Sequence, residues 1–107
     1  MEHLLGFDIG ATKVAWGCFT SDGKPGVSGR FATPETSKEL LITMAEICKE
    51  HNVTGVGIGM PGTLNTEHTG TRICTNLPQV SGVDMRTGLR ENLSDESLVV
   101  RVDNDAR

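Results

Sequence analysis

Residues 3–9 (HLLGFDI) are apolar almost throughout, which predicts a strand in the middle of a sheet, buried on both faces. Gly10-Ala11-Thr12 reads as a turn and residues 13–20 (KVAWGCFT) as a second strand. The stretch Ser21-Asp22-Gly23-Lys24-Pro25-Gly26 is dense in turn formers, so residues 27–33 (VSGRFAT) return as a third strand. Three strands joined by short turns make an antiparallel meander.

The period then changes. Thr36, with Glu39 three residues later, fits a capping box, and Leu40, Leu41, Met44, Ile47 and Cys48 recur at helical spacing. Lys38, Glu46, Lys49 and Glu50 take the other face, and His51-Asn52 closes the helix. Residues 53–59 (VTGVGIG) alternate Val53, Gly55, Gly57 and Gly59 with Thr54, Val56 and Ile58, a fourth strand with one bare side against which another backbone can lie. From Met60 to about Gly82 the chain is loop-like, with short strand pieces expected around Arg72–Cys74. So long an irregular stretch inside a compact domain points to a functional loop. Asp84 can cap a short helix carrying Met85, Leu89 and Leu93, residues 98–102 (LVVRV) form a fifth strand, and Asp103-Asn104-Asp105-Ala106-Arg107 look like the opening of a further helix. Strands separated by helices run parallel through right-handed crossovers, so the fold class is α/β: a mixed five-stranded sheet with helices packed on it.

Composition narrows the function. At 107 residues the chain has the size of one domain, and its apolar runs are far shorter than the ~20 residues of a membrane span. Ten basic and fourteen acidic residues give a net charge of −4 without a block of either sign, which disfavours nucleic acid and anionic membranes as partners. Cys18, Cys48 and Cys74 form neither a disulfide framework nor a CxxC pair, and Met1-Glu2-His3 does not open a secretory signal; a cytoplasmic location is expected. His3, His51 and His68 match no metal-ligand spacing and read as surface or loop residues, so no metal-ligating set is assigned. Trp16 reads as core packing rather than a stacking platform.

Three segments can carry chemistry. In DIGATK, residues 8–13, a carboxylate at a strand end is followed by a tight turn, a hydroxyl and a cation, a set suited to a magnesium-bound phosphate chain; an ordinary hairpin turn is the alternative. Gly57-Ile58-Gly59-Met60-Pro61-Gly62 matches GxGxxG, but Pro61-Gly62-Thr63 leads into a polar loop where a dinucleotide site needs a helix. What remains is a strand opening into a Pro-Gly turn, either structural or exposed to a small ligand. In VDNDA, residues 102–106, two carboxylates and an amide follow a strand directly, at the sheet edge where α/β ligands bind. Helix capping explains any one of them. A carboxylate there could also take a proton from a substrate hydroxyl while Asn104 holds that substrate.

DIGATK, GIGMPG with the later CTNLP, and VDNDA, in this order, resemble the N-terminal lobe of ROK-type sugar kinases, a glucokinase-like family of the actin-like and hexokinase-like superfamily with a ribonuclease H-like sheet. The resemblance covers essentially the whole chain. It implies that Asp8, Gly10, Thr12 and Lys13 contact ATP phosphates and magnesium, that Pro61, Gly62 and Asn76 line a sugar pocket, that Asn104 binds the sugar, and that Asp105 is the general base. Ala11 stands where the family usually has a second glycine, Thr75 replaces a common proline and Arg107 a common asparagine. The family's zinc-binding cluster, Glu-x-Gly-His sugar motif and adenosine pocket lie outside these residues. The resemblance thus implies one lobe of an ATP-dependent kinase for a hexose or N-acetylhexosamine, inactive by itself. Its alternatives are the sugar-sensing domain of a ROK-type repressor, disfavoured unless a helix-turn-helix lies upstream of the first strand, and a silent sugar-binding module. A homodimer or other self-association is expected through a sheet face left uncovered.

Overall fold

A computed structural model of the chain describes residues 3–104. Strands β1 (His3–Ile9), β2 (Lys13–Thr20) and β3 (Pro25–Ala32) form the meander, helix α1 (Ser37–His51) leads to β4 (Gly55–Met60), and the short strands β5 (Thr63–Leu64) and β6 (Thr71–Ile73) interrupt the long loop. A 3-10 turn at Pro78–Val80, helix α2 (Met85–Leu93) and strand β7 (Val99–Asn104) complete the order. The main sheet runs β3-β2-β1-β4-β7, with β1 antiparallel to β2 and parallel to β4, and β4 parallel to β7. This is the mixed five-stranded α/β sheet that the pattern predicts.

Local chemistry sets the helix limits. The Thr36 hydroxyl accepts the Glu39 backbone N–H at 3.1 Å, and the Asp84 carboxylate accepts that of Thr87 at 2.8 Å, each cap contributing about 1 kcal/mol. Half of the capping box forms: the Glu39 carboxylate meets the Thr36 hydroxyl itself, at 3.4 Å. Both helices stop at a left-handed residue, Asn52 and Ser94.

Both helices belong to the same core. Leu40, Leu41, Met44, Ala45 and Cys48 of α1 and Met85 and Leu89 of α2 join Leu5, Phe7 and Ile9 of β1, Val56, Ile58 and Met60 of β4, and Val100 and Val102 of β7 in one buried cluster. The intervening residues face the other way: Leu4, Asp8, Gly57, Val99, Arg101 and Asp103 are exposed. β1 is therefore central but buried on one face only among the described residues, not on both, because no described element covers the second. Arg86 and Arg90 donate from α2 to the carbonyls of Val100 and Leu98, at 3.1 and 2.8 Å, so the edge strand is tied to the helix layer.

Two further expectations change. Strand β7 runs through Asp103 and Asn104, which pair with Gly59 and Met60; the remainder of the expected helix opening, residues 105–107, lies outside the described residues. His51 ends α1, as read, but is half-buried and not a surface residue, with its ring 5.3 Å from that of Trp16, itself packed against the core as expected. His3 and His68 are exposed, as read.

Candidate functional site

The three parallel strands β1, β4 and β7 end at the same edge of the sheet. Their register places Asp8 beside Gly59 and Gly59 beside Asp103, so one row across the open face reads carboxylate, glycine, carboxylate. With neighbouring strands ~4.8 Å apart, the two Asp Cα atoms stand about 10 Å from each other. The next row holds Gly6, Gly57 and Arg101. Because the glycines between the charged residues lack side chains, the rows enclose an open cleft of about 500 Å³ lined by Asp8, Gly57, Gly59, Arg101, Asp103 and Asn104.

Two residues beyond Asp8, β1 ends in the 10–13 turn. It closes through the Gly10 N–H to the Lys13 carbonyl at 3.0 Å, and a Cβ on Gly10 would lie 2.8 Å from that carbonyl oxygen, so closure requires glycine. Ala11 has no left-handed backbone, and its methyl group is accommodated without strain. From the end of β3, the Thr33 hydroxyl donates to the Gly10 carbonyl at 2.7 Å and the Thr33 N–H to the Thr12 carbonyl at 3.0 Å. The turn is thus pinned from behind while Asp8, Thr12 and Lys13 remain exposed.

Beyond Met60, β4 runs into the Pro61-Gly62 corner. Gly62 has φ +82°, and a Cβ there would also collide with the Ile73 carbonyl and lie 2.9 Å from Thr71 Cγ2. The Asn104 side-chain amide donates to the Gly62 carbonyl, and the Asp103 carboxylate accepts the Asn104 backbone N–H at 2.8 Å. The first bond ties the tip of β7 to the corner after β4, and the second is local to the tip itself. Asn76 is exposed two residues beyond Cys74, whose backbone abuts Gly62 and is held by Ser81 at 2.8 Å.

Of the candidate residues, Asp8 and Asn104 line the cleft; Gly10, Thr12 and Lys13 lie on the turn that follows β1, Pro61 and Gly62 on the corner that follows β4, where Gly62 is bonded to Asn104, and Asn76 on the loop after β6. Asp105 lies outside the described residues. Two residues that hold these segments escape a reading by motif: Thr33 and Thr71. Asp103 lies in the VDNDA segment already singled out, and alternation along β7 gives its direction, since inward Val100 and Val102 send Arg101 and Asp103 outward. Nothing local marks Thr33 or Thr71, whose partners are 23 and 10 residues away. No group of three or more His, Cys, Asp or Glu able to hold a metal occurs among the described residues. A divalent cation here would rest on one or two carboxylates and on ligand oxygens, the usual manner of Mg²⁺ with phosphates.

The model of the ROK family matches residues 4–107. N-acetyl-D-glucosamine kinase of Citrobacter koseri is 39% identical over 107 aligned residues, covering 94% of this chain and 34% of its own. A ROK family glucokinase from Streptomyces griseus, solved with glucose and AMPPNP, superposes with a TM-score of 0.81 at 25% identity over 97% of this chain and 33% of its own. A ROK family protein from Streptococcus pneumoniae, solved with sucrose, gives 0.83 at 26% identity, over 97% and 35%. The chain spans about a third of the length of the curated relatives it matches. The fold is that of actin-like ATPases. No helix among the described residues is long and apolar enough to cross a membrane.

Proposed function

We propose, from the premise that the chain belongs to the ROK family, that it is the N-terminal lobe of a two-lobe, ATP-dependent kinase acting on a hydroxyl of a hexose or N-acetylhexosamine, with N-acetylglucosamine the first candidate. The observation that carries this reading is the bond from the Asn104 amide to the Gly62 carbonyl, which sets a substrate-type amide against a Pro-Gly corner at the carboxyl end of the sheet. The N-acetyl-D-glucosamine kinase at 39% identity favours that sugar, and the glucokinase neighbour with glucose and AMPPNP supports a sugar beside an adenine nucleotide.

The residues present fit a magnesium nucleotide: a glycine whose Cβ would block the turn, and an exposed carboxylate, hydroxyl and ammonium around it. Asp8, Gly10, Thr12 and Lys13 would hold it, and when bound it supplies the phosphoryl group and neutralises the charge that develops there. The chain's own part is positional. Asn104 and the Gly62 corner orient the sugar, and Asp105 takes the proton of the attacking hydroxyl onto a carboxylate oxygen. That proton need leave only late, because the phosphoryl group passes through a loose transition state, so an ordinary carboxylate is base enough.

The test is steady-state phosphorylation by the full-length protein with ATP and a panel of N-acetylglucosamine, N-acetylmannosamine and glucose. Turnover of at least one is expected, with Asp105→Asn lowering kcat about 10²- to 10⁴-fold while sugar affinity holds. Absence of turnover with every sugar would overturn the kinase reading; near-normal turnover by Asp105→Asn would remove Asp105 as the base.

A further inference from the structure

Thr71, the first residue of β6, is wholly buried, yet it carries a hydroxyl. A hydroxyl out of water is unfavourable unless bonded, and this one donates to the Pro61 carbonyl at 2.8 Å. Its methyl group faces the same corner, with Cγ2 2.9 Å from where a Gly62 Cβ would be. The Thr71 backbone is itself held: its carbonyl accepts the Gly82 N–H at 2.8 Å, and the residue pairs with Leu64 across the β5–β6 ladder. One threonine therefore anchors the Pro61-Gly62 peptide by hydrogen bond on one side and by contact on the other. The Gly62 carbonyl, on the next residue, is the acceptor of the Asn104 amide.

We infer that Thr71 is a positioning residue for substrate selection: its hydroxyl fixes the Pro61 carbonyl, which sets the direction of the Gly62 carbonyl, which in turn orients the Asn104 amide. The inference rests on the sugar-kinase reading for its kinetic consequence but not for its structural one. Thr71 touches neither Asp8 nor the 10–13 turn through any of these bonds, so its effect belongs to the sugar end of the cleft and not to the phosphate end.

The decisive variants in the full-length protein are Thr71→Val, which keeps the shape and removes the hydroxyl, and Thr71→Ser, which keeps the hydroxyl and removes the methyl group. Thr71→Val should raise the KM for N-acetylglucosamine about five- to tenfold, leave the KM for ATP within about twofold, and be largely rescued in Thr71→Ser. An equal rise in both KM values, or a serine variant as impaired as the valine one, overturns the inference in favour of general packing. A second readout is independent of activity: the Asn104 side-chain amide resonance in a ¹⁵N spectrum, identified by its loss in Asn104→Asp. It should shift in Thr71→Val and return towards its original position in Thr71→Ser. An unmoved resonance in a folded Thr71→Val protein contradicts the relay even if no sugar is turned over, a result that would separately remove the kinase reading.

Discussion

The two faces of the central sheet are made by the same three parallel strands and differ in almost every other respect. On one, Phe7, Ile58 and Val102 lie in neighbouring positions under two helices, each close to fully buried. On the other, one residue further along each strand, Asp8, Gly59 and Asp103 form a row that no described element covers. The covered face is interchangeable hydrocarbon whose value is the area it removes from water. The open face spends its positions on glycine and charge, which contribute little to stability and leave room for a ligand. A strand's period of two is what lets one segment serve both ends.

The sharpest way to break this contrast is Phe7→Ala, which removes a ring at the centre of the covered face. A loss of about 3–5 kcal/mol in denaturant unfolding is expected; a loss under ~1 kcal/mol would mean that the helix layer is not the stabilising one. Gly62→Ala comes next, at about 2–3 kcal/mol, since it combines a left-handed backbone with collisions against Thr71 and the β6 backbone. It should disturb the Gly62–Asn104 contact and leave the 10–13 turn in place, which backbone amide shifts would show.

A third test uses pH. Burial in the covered face pushes the Cys48 thiol from 9.0 up to about 12, with the neighbouring Cys18 adding to the rise. The folded state therefore keeps a proton that the unfolded chain releases, so this contribution is intact below pH 9 and is lost as pH rises towards 12. Unfolding free energy measured across that interval should fall, and Cys48→Ala should flatten the fall; an unchanged slope in the variant contradicts it. The smallest effect is expected from Gly57→Ala on the open face, where an added Cβ meets nothing within 4 Å. A change within about 0.5 kcal/mol is expected, and a cost above ~1.5 kcal/mol would show that another part of the folded protein packs onto the glycines.

Much of this architecture is legible in the sequence because its signals are local. Thr36 and Asp84 announce their helices through hydroxyl and carboxylate caps, and the alternation of Val56 and Ile58 with glycine marks both the strand and its bare side. The failures share a cause, which is distance along the chain. An apolar run such as HLLGFDI cannot say how many layers will cover it, so β1 read as buried twice over. Asp103 and Asn104 have the composition of a helix start, and only pairing with Gly59 and Met60, more than forty residues earlier, keeps them in the strand. Within the candidate site, the motif residues of the 10–13 turn and the Pro-Gly corner are visible in the sequence as residues. Their supports, Thr33 and Thr71, were not, because a lone threonine in a polar or strand-like stretch carries no mark of the carbonyl it will meet.

The most direct test of the central claim, that the carboxyl edge of β1, β4 and β7 holds the sugar, is a titration of the ¹⁵N-labelled full-length protein with N-acetylglucosamine. Saturable shifts of Gly59, Gly62 and Asn104 with Leu98 and Val99 unmoved are predicted; shifts confined to the opposite end of the strands, with Gly62 and Asn104 silent at saturation, would contradict it.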